Sequence, residues 1–171
     1  MIATDILNRF PPFKAIGEDA LQAVALAAET VTSGPGDVLF ECHQPANAFY
    51  LLMGGTLELW IVSVDRNGNA YSNFYPAGEV RAGEVVGISA LISPYVYTAT
   101  AQATKASTLL RFDAQALRQL AEDDARLDSA LMHMVAQATM SRLHDARSQL
   151  AAYHHADATN GSVAKPEKTR L

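Results

Sequence analysis

Cys42 and His43 are adjacent, and a thiol beside an imidazole is the pair that a redox or haem site would use. They stand alone on a turn, in a chain with one cysteine, and Cys42 reads instead as a partly buried structural thiol. His154-His155 could suggest a metal, but two neighbouring histidines at a fraying helix end, without a cysteine or acidic cluster nearby, read as solvated. His133 and His144 lie eleven residues apart, three helical turns, too far to chelate one ion. No metal site is expected. Met132, Met134 and Met140 offer either a soft partner surface or ordinary helix filling. Glu122-Asp123-Asp124 precede a helical stretch, where acids complement the positive end of the helix dipole. The chain has no G-x-S-x-G, P-loop, H-E-x-x-H or G-x-G-x-x-G, and no acid/base pair at motif spacing, so no enzyme is expected.

The elements that must position these residues fall into three zones and a tail. With 171 residues and an apolar fraction of 49%, the chain can bury one core, giving a domain over 1–152 and a flexible tail over 153–171. Residues 2–30 read as helical. Ile2, Ile6, Leu7 and Phe10 have helical spacing before Pro11-Pro12, and Gly17-Glu18-Asp19 opens a second helix with an apolar stripe of Leu21, Val24, Leu26 and Ala27. Residues 31–112 read as short strands broken by turns: Asp37–Phe40, Phe49–Met53, Thr56–Val62, Tyr97–Ala103 and Thr108–Phe112. Leu57, Leu59 and Ile61 share one face of their strand, and Asp65–Asn69 is a hairpin tip around Asn67-Gly68. Residues 113–152 return to helix, with Asp113 capping Ala114–Leu120 and a long helix from about 125 to 152.

That helix carries a stripe of Leu127, Leu131, Met134, Ala138 and Ser141, extended by Leu143, Ala146 and Leu150. Its first half is expected to pack on the strands and its second half to pair with a partner helix, most simply in a homodimer. The fold class is α+β: a jelly-roll-like β-roll of short antiparallel strands flanked by N-terminal helices and a long C-terminal helix.

Charge narrows the partners. A formal net charge of −5 argues against a general nucleic-acid binder and against attraction to an anionic membrane surface. No segment approaches the ~20 apolar residues of a bilayer span. One cysteine excludes an intramolecular disulfide, and a cytoplasmic setting is expected.

The order of helices, glycine-punctuated roll and long helix resembles the cyclic-nucleotide-binding domain family, the effector domain of catabolite-activator-type regulators, over about residues 8–152. Five pieces carry the resemblance in order. Gly36–Phe40 looks like the first strand, Pro45–Tyr50 like the approach to the second, and Gly55 with Thr56–Leu59 like the following turn. Gly83 and Gly87 look like the pair that introduces the phosphate-binding cassette, and Thr98-Ala99-Thr100 like the strand that leaves it. His43 departs from the pattern, standing where the family usually has a glycine.

The resemblance implies a ligand site at Gly87, Ile88, Ser89, Ala90, Tyr97, Thr98 and Ala99. The family places a glutamate after the glycine for the ribose and an arginine nine residues further on for the cyclic phosphate. Here those positions hold Ile88 and Tyr97. An alignment on Gly83-Glu84 recovers a glutamate, but it lengthens the cassette to thirteen residues and still supplies no arginine. No Lys, Arg or His lies between Gly83 and Thr104, and losing a charged partner at a desolvated site costs about 2–5 kcal/mol. No motif calls for a cofactor. A cyclic nucleotide is the ligand that the resemblance names, and the two replacements count against its ordinary binding.

The expectation is a ligand-sensing or regulatory module acting through an unidentified protein partner. Its pocket is either filled or shaped for a different ligand. A receptor for cAMP or cGMP relying on backbone contacts, and a structural subunit with a vestigial pocket, are the alternatives. Some twenty polar residues follow the long helix, too few for a DNA-reading domain.

Overall fold

The computed structural model describes residues 4–64 and 70–158. Among these residues, eight strands form two four-stranded antiparallel sheets. One sheet has the order β1 (Ala28–Ser33), β8 (Ser107–Asp113), β3 (Ala48–Gly54), β6 (Val85–Val86). The other has the order β2 (Val38–Phe40), β7 (Thr100–Ala103), β4 (Thr56–Val64), β5 (Ala70–Arg81). Helices α1 (Thr4–Leu7) and α2 (Glu18–Leu26) precede the roll, with a 3₁₀ turn at Pro11–Ala15 between them, and α3 (Ala114–Asp123) and α4 (Ala125–Ala158) follow it.

Apolar side chains from both sheets and the flanking helices meet in one core. Phe13, Phe49 and Phe112 are fully buried at its centre, with ring centroids 6.0–6.2 Å apart. Strand β3 is buried through Ala48–Leu52 because sheet neighbours flank it on both sides. Strand β4 alternates as expected at Leu57 and Leu59. Its ladder with β7 ends at Trp60, and Ile61 beyond that point is 42% exposed rather than part of the buried face.

Two boundaries and one buried face of the N-terminal helices differ from the sequence reading. Ala28–Thr30, assigned to helix, begin β1, because six consecutive residues pair with β8 and the ladder overrides local helical spacing. Helix α1 stops at Leu7, short of Pro11-Pro12, which instead start the 3₁₀ turn, where a proline without an N–H costs nothing. In α2, Leu21 and Val24 are buried but Leu26 is 64% exposed, since it falls off the inward face of a nine-residue helix. Strands β5 and β6 had no clear signal of their own.

The caps of the last two helices follow from the sequence. Asp113 accepts from the Ala116 N–H at 2.8 Å. Asp124 accepts from the Arg126 and Leu127 N–H groups, which gives the acidic run before α4 its structural role. Helix α4 continues six residues past the expected stop, to Ala158, so 153–158 are helix rather than tail. The remaining tail, 159–171, and the Asn67-Gly68 tip lie outside the described residues.

Candidate functional site

The connection from β6 to β7 holds the residues singled out for ligand contact. Gly87, at φ +76, caps a 3₁₀ turn over Ile88–Leu91. Gly83 instead sits in the turn before β6, where the Glu84 carboxylate accepts from the Arg81 N–H at 2.7 Å. The short turn thus starts at Gly87. A Cβ on Gly87 would lie 2.9 Å from the Ala48 carbonyl oxygen and 3.4 Å from the rings of Tyr50 and Tyr97. Close approach to a neighbour is therefore needed here, but the neighbour is the protein's own β3 and Tyr97.

Tyr97 is 5% exposed and belongs to the core. Its ring stacks on Phe40 with centroids 3.9 Å apart, and Phe40 in turn lies 5.9 Å from Tyr50. The phenol donates to the Ala48 carbonyl at 2.8 Å and accepts from the Ala48 N–H at 3.1 Å. Strand β6 pairs with β3 only at Tyr50 and Leu51, so Ala48 has no β6 partner on that edge and the Tyr97 hydroxyl serves both of its main-chain groups. Burial pushes the phenol up to about 12, so it stays neutral and keeps its donor proton over the whole ordinary pH range.

Tyr97-Thr98-Ala99 are not strand, although the sequence suggested that β7 starts at Tyr97. Tyr97 instead pairs with the preceding loop: its N–H donates to the Gln44 carbonyl at 2.9 Å, and its carbonyl accepts from the His43 N–H at 2.8 Å. His43 stands at φ +69, a left-handed conformation, which explains a glycine preference at this turn. Cys42 is half-buried, and its N–H donates to the Thr100 hydroxyl at 3.0 Å.

The other cassette groups divide. The Ser89 and Thr98 hydroxyls come together at 3.4 Å, at the surface. Ile88 packs against the core with its side chain half-buried. The Ala90 N–H is engaged with the Gly87 carbonyl at 2.9 Å and so is not a free donor for an anion. Ala99 is half-buried.

One positive charge at the cassette escaped the sequence reading, because it comes from another element. Arg118 of α3 donates to the Ala90 carbonyl at 2.6 Å and lies 4.2 Å over the Tyr95 ring. It therefore holds the carbonyl end of the turn, whereas an anion would favour the N–H end. Only the fold brings positions 90, 95 and 118 together.

The stripe on α4 also divides. Leu127, Leu131 and Met134 are buried in the chain's own core, the inward packing expected of the first half of the helix. Ala138 is half-buried against the same core. Met140, Leu143 and Leu150 are exposed, at 64%, 41% and 58%. His133 and His144 are exposed on this helix, and among the described residues no group of three or more His, Cys, Asp or Glu could hold a metal. No helix among the described residues is long and apolar enough to cross a membrane.

Comparison with known proteins agrees with this geometry. The profile of the cyclic nucleotide-binding domain matches residues 30–124. A protein from Geobacter metallireducens GS-15, described as cyclic nucleotide-binding, is 30% identical with a TM-score of 0.71, over 84% of this chain and 100% of that one. The sensor domain of the transcriptional regulator DNR from Pseudomonas aeruginosa shares the fold, with 21% identity and a TM-score of 0.65 over 79% of this chain and 91% of that one. So does the N-terminal domain of a transcriptional regulator from Streptomyces coelicolor A3(2), with 24% identity and a TM-score of 0.58 over 84% and 95%. No curated protein sequence matches the chain. The match over the roll and cassette, together with the order of the elements around them, shows that this chain belongs to the cyclic nucleotide-binding domain family.

Proposed function

We propose that this chain is a non-enzymatic regulatory module whose cassette is closed by Tyr97 and which acts through a partner protein. Domains of this family are regulatory or sensory, and the likeness to a sensor domain and to the N-terminal domain of a transcriptional regulator supports the same role here. The observation that carries the reading is Tyr97 in the arginine position, stacked on Phe40 and bonded twice to Ala48. A phosphate at the family's position would meet an aromatic ring where a guanidinium would form two charge-assisted hydrogen bonds. Melting of the full chain tests this. With millimolar cAMP or cGMP the melting temperature is expected to stay within about 1 °C of the ligand-free value, whereas a ligand at 100 times its Kd stabilises by roughly 2.7 kcal/mol. A rise of several degrees would establish a nucleotide receptor that relies on backbone contacts.

The module is proposed to work as a homodimer through the second half of α4. Met140, Leu143 and Leu150 are exposed on that half at helical steps of three and seven, the spacing of a coiled-coil seam. Sedimentation is expected to give twice the chain mass, and Leu143→Asp with Leu150→Asp to give a monomer with an unchanged circular dichroism spectrum. A monomeric wild-type chain at tens of micromolar refutes the dimer. The closed cassette also suits a structural subunit of a larger assembly, which would retain the α4 interface and respond to no small molecule.

A further inference from the structure

A cleft of about 470 Å³ lies between α4 and the roll, away from the cassette. Its volume falls within the roughly 300–1,000 Å³ of small-molecule sites. Leu51, Val80, Met134 and Ala138 give it an apolar interior, and Phe10 closes one side. None of the residues Gly87–Ala90 or Tyr97–Ala99 borders it.

Arg142 stands in this cleft. Its guanidinium donates to the Val85 carbonyl at 2.9 Å, and among the described residues it has no carboxylate within 4.0 Å. Burial pushes its pKa below the ordinary value, opposed by the more distant charge of Glu84. A desolvated guanidinium carries five N–H donors in a planar fork, and one main-chain carbonyl leaves most of them free for an acceptor.

The two acids at the cleft are already engaged. Glu79 pairs with the Arg81 side chain at 2.8 Å, and Glu84 accepts from the Arg81 N–H at 2.7 Å. They still set the charge that a ligand can carry. Arg81 neutralises Glu79, whereas Glu84 keeps its charge, so every negative charge on a ligand is opposed; a single carboxylate is the least charge that can use the free guanidinium donors, and a dianion such as a phosphate monoester doubles the opposition. The apolar interior requires the rest of the ligand to be hydrocarbon.

We propose that this cleft binds a small monocarboxylate with an apolar body, its carboxylate held by Arg142 and its body laid against Leu51, Val80, Met134 and Ala138. Ser141 and Gln137 at the helix side add polar groups beside the carboxylate. The site is independent of the regulatory role proposed above and stands or falls on binding alone. If occupied, it would touch both α4 and strand β6, which leads into the cassette.

Titration of the isotope-labelled full chain with octanoate, followed by amide chemical shifts, tests the assignment. Saturable shifts are expected at Glu84, Val85, Gln137 and Ser141. Arg142→Gln is expected to weaken octanoate about tenfold or more, the range for a hydrogen bond to a charged group, while leaving the uncharged control octan-1-ol unchanged. Ser141→Phe, at an exposed position, narrows the cleft without touching the core and is expected to weaken both probes. It also keeps the test open should Arg142→Gln fail to fold. Absence of saturable shifts in the wild type overturns the proposal. So do shifts centred on Gly87–Leu91 in place of the cleft, equal octanoate affinity in folded Arg142→Gln, or unchanged binding of both probes in Ser141→Phe.

Discussion

Tyr97→Ala is expected to destabilise the protein by about 3–5 kcal/mol, the range for removing a large buried aromatic side chain. Two losses combine. The ring leaves a cavity beside Phe40, on which it stacks at 3.9 Å, and the Ala48 N–H and carbonyl lose the phenol that serves both. For a chain of this size the melting temperature should fall by on the order of 10 °C. Tyr97→Phe separates the two terms. It keeps the stack, orphans the Ala48 groups and should cost about 1–3 kcal/mol. Chemical denaturation of the three proteins side by side checks the series. If Tyr97→Ala unfolds within about 1 kcal/mol of the wild type, the ring is not a core element and the closed cassette fails with it.

This stability effect bears on function. On the proposed reading Tyr97 holds the arginine position and supports the core as well, so a cyclic nucleotide placed as the family places it would have to displace the ring, whose removal carries the energy given above. The resistance to cAMP and cGMP proposed above and the fragility of Tyr97→Ala are therefore two consequences of one packing arrangement.

Gly55→Ala carries the second large effect. Gly55 joins β3 to β4 at φ +94. A Cβ there would collide with the Ser107 hydroxyl oxygen and lie 2.6 Å from both the Ala106 carbonyl oxygen and the Ser107 Cα. Two of these neighbours are main chain and cannot rotate away. Ser107 is also fixed: it is buried, donates to the Lys105 carbonyl at 2.9 Å and accepts from the Thr56 N–H at 3.2 Å. Left-handed strain alone costs about 1–2 kcal/mol, and the collision adds to it, so a loss above about 3 kcal/mol or failure to accumulate folded protein is expected. Gly36→Ala is the control. Gly36 has nearly the same φ, +90, with nothing within 4 Å of a built Cβ, so it should show the strain term alone. Comparable stabilities for the two variants would mean that the turn between β7 and β8 moves aside.

The class of fold and the order of most of its elements were legible in the sequence. Those features are local. Asp113 and Asp124 cap the residues next to them, the alternation of Leu57 and Leu59 needs only its own strand, and the glycine turns are written in single residues. The expected alignment of Ile88 and Tyr97 with the family's charged pair likewise rests on counting positions along the chain. The sequence did not show that the ring of Tyr97 meets Phe40 and Ala48, residues fifty or so positions away in the chain. Ala28–Thr30 became strand only because β8, about eighty residues later, pairs with them. Arg118 and Arg142 lie outside Gly83–Thr104 in the chain, and the packing of α3 and α4 against the roll brings one to the cassette and the other into the cleft. On α4 one periodic stripe served two ends. Its first half is buried by the roll and its second half leaves it, and periodicity alone carries no information on where the roll stops.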